Sequence, residues 1–108
     1  MEEQESSRFI ADEYSAKILS ATYRHPMSVQ EISSRCDIPI AVAYRRVGDM
    51  EKAGLLKCVK QKEVYRGKKV RYFSCAVRNV QYSFERGSFY IDVDWMPEEE
   101  MEVSRGIE

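Results

Sequence analysis

Between Asp12 and about Tyr23 the apolar side chains recur at helical spacing. Tyr14, Ile18 and Ala21 lie four and three residues apart, and Leu19 and Thr22 widen the stripe. The segment "RHP" ends this first helix, because the residue before Pro26 is pushed out of the helical region. A second helix has strong start signals. Ser28 stands three residues before Glu31, as in a capping box, and Met27 and Ile32 occupy the two positions of a hydrophobic staple. The pattern predicts a short helix from Val29 to about Arg35. Pro39 then fits the first turn of a third helix, where its missing N–H costs nothing. That helix is expected from about Pro39 to Ala53, with Ile40, Ala43, Val47 and Met50 facing inward and Gly54 as its left-handed stop. Ala41, Val42, Arg45 and Arg46 lie outside the inward stripe. Asp49 is placed to pair with Arg45 at i, i+4.

Beyond Gly54 the period changes from helical to alternating. "LLKCVKQKEVY" and "VRYFSCAV" read as two strands around the turn "RGKK", which makes a basic hairpin. "NVQYSFE" and "FYIDVDW" read as a second hairpin turned by "RGS". Val80, Tyr82, Phe84, Phe89, Ile91, Val93 and Trp95 share one face of it, and Gln81, Ser83, Asp92 and Asp94 share the other. After Pro97 the tail "EEEMEVSRGIE" is acidic and is expected to fray. The chain therefore divides into a helical and basic-hairpin unit over 1–78, a C-terminal hairpin over 79–97, and an acidic tail over 98–108.

Length and composition agree with a small globular unit. The chain has 108 residues, 44% of them hydrophobic and 32% charged. No apolar run approaches the roughly 20 residues needed to span a bilayer, and "MEEQESS" lacks the character of a secretory signal. A cytoplasmic protein without a membrane partner is expected. Cys36, Cys58 and Cys75 form no Cys-x-x-Cys pair, and the single histidine, His25, offers no zinc-binding spacing. Free, largely buried thiols are expected, and no metal or cofactor. Cys58 and Cys75 fall on neighbouring strands of the basic hairpin, where the register decides whether they meet. His25, at the end of the first helix, reads as a cap or a solvated loop residue.

The net charge of −1 conceals a segregation. Residues 35–78 carry twelve Lys and Arg against four Asp and Glu, a net of +8, while residues 1–34 carry −3 and residues 79–108 carry −6. A polyanion responds to the local field of that basic middle rather than to the total. Three helices followed by a basic hairpin is the order of an α+β winged helix-turn-helix, here with an additional C-terminal hairpin. The third helix can enter a major groove with its outer side chains against bases. The wing brings Arg66, Lys68, Lys69 and Arg71 towards phosphates. No nucleophile–base pair, paired carboxylates or glycine-rich phosphate loop points to an enzyme.

The stretch "ILSATYRHPMSVQEISSRCDIPIAVAYRRVGDMEKAGLLK", within residues 8–78, resembles archaeal ArsR-like winged helix-turn-helix transcriptional regulators. The resemblance implies a repressor or activator that binds double-stranded DNA as a homodimer. It also implies Ala41, Tyr44, Arg45 and Arg46 as the DNA-facing residues of the recognition helix. One branch of that family senses metals through a Cys-x-Cys pair at this helix. The matching "IPIAVAYRRV" has no cysteine, so metal sensing is not expected and no effector is implied. The apolar face of the second hairpin exceeds what a bare winged helix needs. Tyr82, Phe84, Phe89, Ile91 and Trp95 are therefore candidates for a dimer interface, with or without the first helix. The alternative is a winged helix that serves as a protein-interaction module of a transcription or other complex.

Overall fold

A computed structural model describes residues 12–101. It contains α1 (Glu13–Arg24), α2 (Val29–Cys36), α3 (Ile40–Lys52), β1 (Leu56–Glu63), β2 (Lys69–Cys75), β3 (Val77–Glu85) and β4 (Ser88–Trp95). Local chemistry accounts for most helix ends. Asp12 caps α1, its carboxylate accepting from the backbone N–H groups of Tyr14 at 2.9 Å and Ser15 at 3.2 Å. The capping box of α2 is complete. Glu31 N–H donates to Ser28 Oγ at 3.2 Å, and Ser28 N–H donates to Glu31 Oε1 at 2.9 Å. At the end of α3, Gly54 takes a φ of 82°. Leu55 N–H then reaches Met50 O at 2.9 Å and Gly54 N–H reaches Glu51 O at 3.0 Å, the two bonds of a Schellman stop.

The core forms where the three helices meet the base of the first hairpin. Ile18, Ile32, Met50 and Leu55 are fully buried, with Val47, Leu56 and Phe73 packed among them. Ile40 departs from the expected inward stripe and is 46% exposed, while Ile38, in the turn before the helix, is the isoleucine buried there. Val42, assigned by pattern to the outer surface, is half-buried against the core. A periodic pattern marks a face but does not say how far along the helix that face stays covered.

The strands form two antiparallel two-stranded sheets, β1–β2 and β3–β4. A backbone bridge between Met27 and Phe73 ties the α1–α2 loop to β2. Both hairpin tips place an arginine and a glycine at positive φ, Arg66–Gly67 and Arg86–Gly87, which is the tight turn that matches strand twist. Ala76 links the two hairpins. Its N–H donates to Leu55 O and its carbonyl accepts from Met96 N–H, both at 2.8 Å. The three helices, the wing and the additional hairpin make the α+β winged helix-turn-helix that the sequence pattern predicts.

The tail differs from the frayed segment expected after Pro97. Residues 98–101 form a helical turn with Met101 buried. Glu98 pairs with Lys57 at 3.4 Å, and Glu100 pairs with Arg78. A buried methionine and two cross-chain ion pairs hold the turn against the domain, a long-range effect that local composition does not reveal.

Candidate nucleic-acid interface

The outward line of α3 carries Ala41, Tyr44, Arg45, Gly48 and Lys52, spaced three and four residues apart. Ala41 and Arg45 are exposed, and Tyr44 is 56% exposed. Arg45 has no ion-pair partner among the described residues, so the expected pairing with Asp49 is not formed. Arg46 has a different environment from its neighbour. Its guanidinium meets the carboxylate of Asp12 at 2.9 Å, with both side chains about three-quarters covered. The N-cap of α1 is thus tied to the middle of α3.

The wing divides in the same way. Arg66, Lys68 and Lys69 are exposed at or beside the tip, and Arg66 lies 5.2 Å from the centre of the Tyr65 ring. Arg71 instead forms a two-pronged pair with Glu51 of α3, with Nη1 at 3.2 Å from Oε1 and Nη2 on the second oxygen. Its guanidinium also lies 4.9 Å from the Phe73 ring centre. The hydrogen bond it donates to Glu51, and then that to Cys58, push the arginine still further towards its charged form. The pair fastens the wing to the last turn of α3.

Between these elements lies a cleft of about 270 Å³ whose walls include Ser28 and Gln30 of the α2 start, Tyr44 and Gly48 of α3, and Lys69 of β2. Glu51 and Arg71 are also among its lining residues. Gly48 and Glu51 carry no site signal in the sequence, and the start of α2 shows there only as a capping box. Only the helical spacing from Arg45 to Lys52, which puts Gly48 in line, could have indicated the glycine.

The five apolar candidates on the second hairpin separate into two groups. Tyr82, Phe84 and Phe89 are 51%, 61% and 80% exposed, and the two phenylalanine rings stack across the strands at 4.8 Å. Ile91 is half-buried against the core together with Val80 and Val93, and Trp95 stands at the base opposite Val77. Burial raises the Tyr82 hydroxyl above its ordinary value. Cys58 faces Phe73 and Cys75 faces Leu56 across the wing, so the two thiols are not partners, and all three cysteines are free. Burial pushes the thiols of Cys36 and Cys75 up, partly offset by Lys17 at the first and by a backbone hydrogen bond at Val77 for the second. Among the described residues no cluster of three or more His, Cys, Asp or Glu side chains could hold a metal ion, and no helix is long and apolar enough to cross a membrane.

Residues 10–59 match a family model described as a helix-turn-helix domain. The matched span begins two residues before the N-cap of α1 and runs through the whole of α3 into β1, and so covers the three helices whose geometry is given above. The match supports a DNA-binding helix-turn-helix unit, a class that is generally not enzymatic. No curated protein shows significant sequence similarity to the chain.

Proposed function

We propose that the chain is a sequence-specific, double-stranded-DNA-binding transcriptional regulator of the archaeal ArsR-like kind, acting in the cytoplasm as a homodimer. The observation that carries this reading is the sorting of its cations. Arg45, Arg66, Lys68 and Lys69 are exposed on α3 and the wing, with no ion-pair partner among the described residues, while Arg46 and Arg71 are held by carboxylates. In this reading α3 enters the major groove. Tyr44 and Arg45 face base edges and Ala41 allows close approach. A two-pronged contact from Arg45 to guanine would contribute about 1–3 kcal/mol of discrimination. The wing cations contact phosphates and supply affinity without sequence preference. Arg46 and Arg71 act as positioning residues, the first holding α3 on α1 and the second holding the wing on α3. In a dimer the two α3 helices would occupy successive major grooves about 34 Å apart.

Selection of bound duplexes from a random pool, followed by affinity measurements on the selected and a scrambled duplex, tests the division of roles. Arg45→Ala is expected to reduce the preference for the selected duplex. Lys68→Ala with Lys69→Ala is expected to weaken both duplexes equally. Equal losses on both duplexes for all variants would remove the assignment of α3 as the reading element. The exposed aromatics of β3 and β4 favour a second reading, a protein-interaction module, which predicts no duplex binding and retention of a protein partner.

A further inference from the structure

The distal half of the second hairpin is an unusual object to leave in water. A two-stranded hairpin is marginal alone and needs a third strand or a packed face. Among the described residues β3 and β4 pair only with each other. Among the described residues Val80, Ile91 and Val93 of the apolar face reach the core, while Tyr82, Phe84 and Phe89 stay half or more exposed. With side chains of about 200 Å² each, the three aromatics leave on the order of 400 Å² exposed. A groove of about 350 Å³ opens at the foot of the same face, between α1 and the start of β3. Its walls include Leu19, Ser20 and Tyr23 of α1 and Val80 of β3. Val80 belongs to both the groove and the apolar face, so the two surfaces are continuous.

We propose that the aromatic tip of this hairpin seats in the α1–β3 groove of a second copy, reciprocally, so that two hairpins lie antiparallel with their apolar faces together. This rests on the homodimer in the function proposed above and specifies how it is built. The occupant follows from fit. Each tip would cover on the order of 400 Å² of its own surface and a smaller area of groove, and two symmetric contacts give on the order of 1,000 Å², about the area a specific interface must reach. Charge agrees with the pairing. The tip carries Glu85, and Arg24 of α1 lines the groove it would enter. Spacing agrees as well. Strands of eight residues span about 26 Å, so antiparallel hairpins would hold the two helical bodies at opposite ends, at a separation of the order of the half-site distance.

Cross-linking of single-cysteine variants tests the arrangement. In a Cys36→Ala/Cys58→Ser/Cys75→Ala background, Ser20→Cys marks the groove and Ser88→Cys marks the tip, and both positions are exposed in the protomer. Under mild oxidation a mixture of the two variants is expected to form a disulfide-linked dimer, whereas neither variant alone should do so. Light scattering at about 10 μM is expected to give a dimer mass for the parent and a monomer mass for Phe84→Ser with Phe89→Ser, with unchanged helical circular dichroism. A dimer in which Ser88→Cys cross-links to itself would overturn the exchange but leave the homodimer standing. A monomer mass for the parent protein would overturn both.

Discussion

Gly48 is the position where the structure makes an unambiguous energetic statement. It lies inside α3 at an ordinary helical φ, and a Cβ built there meets none of the described residues within 4 Å. A glycine in a helix interior costs about 0.5–1 kcal/mol relative to alanine, because its backbone loses more freedom on folding. No steric penalty offsets that cost here. Gly48→Ala is therefore expected to stabilise the fold by about 0.5–1 kcal/mol. For a domain of this size that corresponds to a rise in Tm of roughly 2–8 °C, read by circular dichroism on heating. Gly48 also lines the cleft between α3 and the wing, so the same variant reports on the interface. If duplex DNA approaches α3 closely at this point, the stabilised variant should bind it more weakly. A lower Tm would refute the packing around α3, and a higher Tm with unchanged DNA affinity would remove Gly48 from the contact surface.

Three further outcomes follow from named contacts. Glu51→Gln releases the Arg71 guanidinium that holds the wing on α3, so duplex affinity should fall; an unchanged or tighter complex would remove the positioning role of Arg71. Ser28→Ala breaks one half of the α2 capping box and should cost about 1 kcal/mol in urea unfolding, with the m-value unchanged. The raised thiols of Cys36 and Cys75 stay protonated in the folded state after unfolded thiols begin to ionise, so they stabilise the fold fully below the ordinary thiol value of 9.0, and that contribution is lost as pH rises through the folded-state values. The urea midpoint should accordingly fall as pH rises above about 9, and a double Cys36→Ala/Cys75→Ala variant should show a shallower fall.

Local chemistry made much of the fold legible. Ser28 with Glu31, the Gly54 stop and the two Arg-Gly turns each act within a few residues, so their meaning is complete in the sequence. The alternation from Val80 to Trp95 identified which side chains share a face, and the strand register bears this out. What it could not supply was coverage. Ile40 and Phe89 carry the same apolar signal as Val47 and Val93, yet only the latter two meet the body of the protein. The candidate site divides at the same boundary. Arg45 and Arg46 are adjacent and identical in type, but only Arg46 finds Asp12, which the chain brings back from the start of α1. Arg71 looked like its basic neighbours until folding placed Glu51 against it. The helical turn over 98–101 likewise depends on Lys57 and Arg78, both distant in sequence.

The central claim is that α3 and the wing bind double-stranded DNA, with the exposed wing cations on its phosphates. Its most direct test is fluorescence anisotropy of the full chain with a random-sequence duplex, titrated across salt. Three wing contacts, from Arg66, Lys68 and Lys69, predict a log–log salt slope of about −3 for each protomer. Lys68→Ala with Lys69→Ala should flatten that slope by about 2. Absence of binding at low salt, or a slope unchanged in the double variant, would contradict the assignment of this face to DNA.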